Sequence, residues 1–212
     1  MPTFDQVLAS PTATFEEGLA FFRGQGMLNS TLLRLVSDLE RGGIAYALIG
    51  AVALNQHGYK RFTEDIDLLL TKEGLQKFRD ELVGKGYLPA FSGATRMFKT
   101  SPENIRVEIV TSGEYPGDGR PKAVVFPDPG ASVEEIGGVK TLSLVKLIEL
   151  KLASGMTAPD RLKDLADVQE LIKVKELTAE LADQLDESVR EKYRELHQAV
   201  EMAKTREQGT QP

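Results

Sequence analysis

The segment Asp65-Ile66-Asp67-Leu68-Leu69-Leu70 constrains the fold more than any other stretch of the chain. Alternate residues of a strand face opposite ways, and the second half of this segment is apolar on both faces. It therefore belongs in the middle of a sheet that is covered on both sides. Its first half differs, because Asp65 and Asp67 share one face while Ile66 and Leu68 point into a core on the other. Two carboxylates side by side repel, which raises one pKa, whereas a divalent cation between them holds both ionised. With twelve aspartates in the chain such a triplet also arises by chance, so a metal site needs companions.

Those companions must come from a limited set. The 212 residues, 41% hydrophobic and 27% charged, suit one compact domain, alone or with a helical appendage. There is no cysteine, which excludes disulfides and thiolate metal or redox sites and fits a reducing compartment. Only His57 and His197 offer imidazole. No apolar run reaches about 18 residues and no basic stretch precedes an apolar one at the N-terminus, so neither a spanning helix nor a signal peptide is predicted, and a cytoplasmic location is expected. The net charge of -6 argues against general nucleic-acid affinity while leaving room for a local basic groove.

The chain divides into a weakly structured lead-in over 1–28, a core over 29–140, helices over 141–204 and a frayed tail over 205–212. Asn29-Ser30 is placed to cap a helix with Leu32, Leu33, Leu35, Val36 and Leu39 on one stripe, ended by Gly42-Gly43. A buried strand over 44–49 follows; Gly50 then opens a short helix over 51–57. Thr71 caps the next helix, 72–83. Further strands are predicted over 95–100, 106–111 and 122–126, between Gly, Pro, Ser and Asn turn signals. Beyond Thr141 helices are predicted over 142–154, 159–174 and 178–204, with Pro159 suited to a first turn. The interleaving predicts an α+β fold, a mixed sheet packed on helices with a C-terminal helical region.

Within that frame Glu108, in the middle of the 106–111 strand, places a third carboxylate beside the 65–70 strand; on its own it reads equally as a solvent-facing residue of an edge strand. Three carboxylates on neighbouring strands form an oxygen-ligand set that suits Mg²⁺. Gly50 stands at a strand-to-helix junction where backbone N–H groups can approach a phosphate, or where the chain simply turns. Arg61 and Thr63 lie just before the acidic strand, Arg61 reading either as a phosphate contact or as a solvated loop residue.

Ile49-Gly50-Ala51, thirteen intervening residues, Asp65-Ile66-Asp67-Leu68 and a later acid at Glu108 together resemble the nucleotidyltransferase superfamily that contains DNA polymerase beta and the antibiotic nucleotidyltransferases. The stretch from Gly58 to Asp67 looks closest to the small bacterial branch with the AbiEii-type toxin nucleotidyltransferases. Lys151-Leu152-Ala153 and Arg161-Leu162-Lys163-Asp164-Leu165-Ala166-Asp167-Val168 are similar to the helices that follow the sheet in that branch. The resemblance covers roughly residues 30 to 172. It departs from the family pattern at Ala51, which replaces the second small residue of a Gly-Gly or Gly-Ser pair, and at Glu108, which replaces the commoner Asp.

The resemblance implies transfer of a nucleoside monophosphate from an NTP to a hydroxyl acceptor, with Asp65, Asp67 and Glu108 catalytic and holding two Mg²⁺ ions, Mn²⁺ being the substitute. Gly50, Ala51, Arg61, Thr63, Lys151 and Asp164 are then the nucleotide-binding candidates, Lys151 for the triphosphate and Asp164 to orient Lys151 or the acceptor. Otherwise Lys151 is a surface lysine, and Asp164 with Asp167, three apart on one helix face, belongs to a solvated charge lattice. His57 is expected to pack structurally and His197 to lie on the surface. The acceptor, a small molecule, tRNA or a protein, is left open, its specificity expected in the 112–122 loop. The toxin of a toxin–antitoxin or phage-defence pair, with an antitoxin protein as partner, is the implied setting, and the C-terminal leucines suit either a homodimer surface or internal packing. The competing reading is a non-catalytic nucleotide-binding or interaction module on the same fold.

Overall fold

A computed structural model of the protein describes residues 2–209, with side chains through Arg206. Seven strands are present among them: β1 (Tyr46–Leu48), β2 (Asp65–Leu70), β3 (Tyr87–Pro89), β4 (Met97–Thr100), β5 (Arg106–Thr111), β6 (Val133–Ile136) and β7 (Val139–Leu142). They form one mixed sheet in the order β3-β4-β5-β2-β1-β7-β6. β2 pairs parallel with β5 and antiparallel with β1, so the aspartate strand lies in the interior of the sheet. Ile66, Leu68, Leu69 and Leu70 are fully buried there.

The helices are α1 (Phe4–Leu8), α2 (Pro11–Phe22), α3 (Gly26–Arg41), α4 (Gly50–Gln56), α5 (Lys72–Glu81), α6 (Leu144–Thr157), α7 (Leu162–Lys175) and α8 (Glu187–Gly209). One core lies between α3, α5 and the sheet face bearing Ile66, Leu68, Val107 and Ile109. A second core packs Leu69, Leu142 and Ile49 against α6, α7 and α8, which bury Leu147, Ile148, Val168, Leu171, Tyr193 and Val200. The acidic residues point to this second side, at the end of the strands that the helices leave open. Among the described residues no helix is long and apolar enough to cross a membrane.

Several predicted boundaries shift. The 1–28 lead-in is helical from Phe4 onward: Thr3 and Gln6 form a capping box, Ser10 caps α2 with Pro11 at its first position, and Phe4 is buried against the core. No strand forms over 122–126. Prolines flank that segment, and Phe126 is tied instead to Gly113 and Glu114 by two backbone bonds of 2.8 and 2.9 Å. The sheet is completed by the β6–β7 hairpin, whose Gly137 and Gly138 both have positive φ, as its two-residue turn demands. The 178–204 helix is interrupted. Ala179–Gln184 is a 3-10 turn, and buried Glu149 accepts the backbone N–H of Asp186 at 2.7 Å where α8 is about to start. The tail is helical up to Gly209; the rest of the span predicted to fray, 210–212, lies outside the described residues.

Candidate active site

Parallel pairing of β2 with β5 sets Asp67 directly opposite Glu108 and Asp65 opposite Arg106. Gly50, the first residue of α4, presses against the same carboxylate. A Cβ built there would lie 2.7 Å from Asp67 Cγ and closer still to Oδ2, and its φ of +62° is a conformation that L side chains rarely adopt. Asp65 is held by its own loop, since Thr63 Oγ1 donates to Asp65 Oδ1 at 2.6 Å. Asn55 fixes the rest of that loop by accepting from Arg61 N at 3.0 Å and donating to the Arg61 carbonyl at 2.6 Å. Ala51 is buried in the first turn of α4, its missing hydroxyl the one departure from the family pattern on this helix.

Two cations of the site, Lys151 and Arg61, are locked to carboxylates of α7. Lys151 Nζ lies 2.8 Å from Asp164 Oδ1 and 2.7 Å from Asp167 Oδ2; the latter oxygen also takes Arg61 Nη1 at 2.9 Å. Ser154 Oγ donates to the second oxygen of Asp164 at 2.7 Å. Asp167 is only 2% exposed and Lys151 7%, so these groups form a buried network and neither a surface lysine nor a solvated lattice. Asp164 orients Lys151. Two of the three Lys151 N–H donors are thereby used, and one is left for the cavity.

A cavity of about 300 Å³ opens beside this network, walled by Ile49, Val110, Leu147 and Leu150 and by Tyr115 and Phe126 from the 113–126 loop. It adjoins a polar recess of about 260 Å³ lined by Arg61, Thr63, Asp65, Asp160 and Lys163. Gly50, Asp67, Glu108, Lys151, Arg161 and Asp164 border both. The loop is strapped to α6: Lys122 Nζ bonds the Pro116 carbonyl at 2.6 Å and Thr157 Oγ1 at 3.0 Å and also pairs with Asp118.

Burial first, then the nearby charges of Asp65 and Glu108, push the Asp67 carboxyl up to about 7, against the opposing pull of Lys151 and Arg161. Asp164 moves the other way: burial works to raise it, but the charge and hydrogen bond of Lys151, with Ser154 and Arg161, bring it below the usual carboxylate range. No three His, Cys, Asp or Glu side chains converge into a ready-made cage among the described residues. The donors at hand are nonetheless carboxylate oxygens of one face, the chemistry that suits a hard divalent cation. The excess of negative charge at Asp67 is what such an ion relieves.

A model of the AbiEii nucleotidyl transferase toxins, of type IV toxin–antitoxin systems, matches residues 34–212. The chain belongs to this AbiEii family. Among solved structures it is similar to a solution structure of the antibiotic-resistance factor ANT(2'')-Ia, at 14% identity and a TM-score of 0.50, with 86% of this chain and 97% of that one covered. A crystal structure of ANT(2'')-Ia in complex with adenylyl-2''-tobramycin aligns at 13% identity and a TM-score of 0.48, covering 84% and 99%. The first of these likenesses shows a shared nucleotidyltransferase fold. No curated protein sequence matches the chain.

In this AbiEii chain the structure gathers every site residue singled out from the sequence. Gly50, Arg61, Thr63, Asp65, Asp67, Glu108, Lys151 and Asp164 all border the cavity or its recess, and Ala51 lines the recess. Sequence reasoning underrated Asp167 and Arg161. An i, i+3 acidic pair beside Arg and Lys looks the same whether it is solvated or buried, and only the packing of α7 against α6 decides. Tyr115 carried no periodic signal, and Phe126 read as the end of a strand that does not form. His57 is structural, buried with its Nε2–H directed at the Leu142 carbonyl 2.8 Å away.

Proposed function

We propose that the protein is a metal-dependent nucleotidyltransferase that moves a nucleoside monophosphate from an NTP to an acceptor hydroxyl, releases pyrophosphate, and acts as the toxin of a toxin–antitoxin pair. The observation that carries this reading is the register of Asp67 with Glu108 beside a glycine whose backbone leaves no room for a side chain. Asp65, Asp67 and Glu108 would hold two Mg²⁺ ions, which supply charge stabilisation at the α-phosphate when bound. Gly50 lets a phosphate-bearing ligand come close to the main chain at the carboxylates. Arg61, Thr63 and the free N–H of Lys151 supply donors in the polar recess, where the triphosphate sits. Glu108, exposed at the mouth, accepts the proton of the acceptor hydroxyl.

The test is transfer of label from α-labelled NTPs to total tRNA, to proteins and to small hydroxyl acceptors in the presence of Mg²⁺ or Mn²⁺. Wild-type protein is expected to transfer label, and Asp65→Ala and Asp67→Asn to lower the rate by about 10³-fold or more, the several kcal/mol that metal clamping supplies. Tight NTP binding with no transfer to any acceptor class, and undiminished toxicity of Asp67→Asn in cells, would favour the non-catalytic module instead.

A further inference from the structure

We infer that Arg161, which borders both lobes of the cavity together with Asp67 and Glu108, is the residue that grips the departing pyrophosphate. Arg161 has this role only within the nucleotidyl-transfer reading above, to which it adds a residue that contacts substrate.

Four cations border the site, and three are spoken for or confined. Lys151 is buried and committed to Asp164 and Asp167. Arg61 gives Nη1 to Asp167 and borders the polar recess alone. Lys163 also reaches only the recess. Arg161 lines both lobes, and its exposed side chain makes no hydrogen bond or ion pair among the described residues. All five of its N–H donors are therefore unengaged, where the other cations of the site are already paired or confined to the recess.

Its main chain, by contrast, is fixed. Arg161 ends the 3-10 turn Pro159–Arg161, and its N–H donates to the Ala158 carbonyl at 2.9 Å. The turn packs directly on α6 at Gly155, where a Cβ would meet the Arg161 carbonyl at 3.2 Å and Leu165 Cγ at 2.6 Å. A rigid turn carrying one free, planar, bidentate donor group is the arrangement that recognises paired phosphate oxygens.

The chemistry gives that group a task. The acceptor oxygen attacks the α-phosphorus, and the bond from phosphorus to the bridging oxygen of the β-phosphate breaks. The bonding pair leaves with pyrophosphate, and the acceptor's proton passes to Glu108. Negative charge grows on the leaving pyrophosphate, and a guanidinium there is worth more in the transition state than in the ground state.

The experiment compares wild type, Arg161→Lys and Arg161→Ala in steady-state transfer, together with calorimetric titration of each protein by a non-hydrolysable NTP analogue and by inorganic pyrophosphate. Arg161→Ala is expected to lower kcat by about 10²- to 10³-fold, of the order of a lost transition-state donor, and to weaken pyrophosphate binding at least about tenfold. Arg161→Lys should restore part of each, because charge returns without the fork. Thermal melting should move little, since the exposed side chain makes no hydrogen bond or ion pair and acts on Asp67 and Asp164 only through its charge. Active wild type with unchanged kcat and pyrophosphate affinity in Arg161→Ala overturns the assignment and leaves the function intact. Wild type that binds the analogue without turnover defeats the transfer reading and, with it, the role assigned to Arg161. Failure of wild type to bind any NTP overturns both.

Discussion

Gly50 and Asp67 meet so closely that each dictates the other. Gly50→Ala adds a methyl group where Asp67 Oδ2 already stands and imposes a φ that alanine disfavours. We expect a loss of about 1–3 kcal/mol in urea unfolding, the usual cost of such backbone strain, and near-complete loss of transfer; unaltered values for both would show that the junction yields. Asp67 also ties stability to pH. Its folded-state pKa of about 7 lies above its unfolded value, so the native protein binds this proton more tightly. The contribution is complete below the unfolded pKa, near 4, and is lost as pH rises through 7. Chelator-treated wild type should therefore lose Tm between about pH 4 and pH 8, Asp67→Asn should show a flatter profile, and Mg²⁺ should restore the wild-type Tm at the alkaline end. Identical profiles for the two proteins would count against the assignment of charge crowding to Asp67.

Three elements of the helical side are joined by one carboxylate. Asp167 of α7 takes the ammonium of α6 and the guanidinium of the loop before β2. Asp167→Asn leaves buried Lys151 and half-buried Arg61 short of charge, so we predict a loss of about 3 kcal/mol, at the low end for broken buried pairs, with faster amide exchange at 58–64. Exchange unchanged in that loop would mean that Asn55 alone secures it. The 113–126 loop has its own clamp, and Lys122→Ala should speed amide exchange across 113–117 with little change in global stability.

Legibility from sequence follows the same divide. β2 and β5 were readable because apolar residues on both faces with acids at fixed positions leave few places for a strand to go. The N-terminal helices were not, since their caps at Thr3 and Ser10 precede segments of weak periodicity whose burial depends on distant partners such as Phe62. Val133-Glu134-Glu135-Ile136 hides an edge strand for the opposite reason: its side chains are largely solvated, and Gly137-Gly138 was its only signal. Asp167 and Arg161 were legible in the sequence, but their weight depends on how α6 and α7 pack together.

Across the whole molecule the sheet is a partition with a core on each side, and β2 belongs to both. Leu68 packs toward α3 and α5, and Leu69 toward the C-terminal helices. Each truncation to alanine is expected to cost about 2–5 kcal/mol, and each should shift one cooperative calorimetric transition. Two separate transitions would show that the halves melt independently. The N-terminal segment is part of the same unit. Phe4 donates its N–H to the Glu103 carbonyl at 2.6 Å, Asp5 accepts from Asn104, and Arg34 clasps Glu103 through two bonds of 2.7 Å. These anchors sit at the turn from which β5 departs, only a few residues ahead of Glu108. An affinity tag or reporter fused in front of Phe4 would thus pull on the strand that carries Glu108, whereas one appended beyond α8 hangs from a helix end remote in sequence from every candidate site residue.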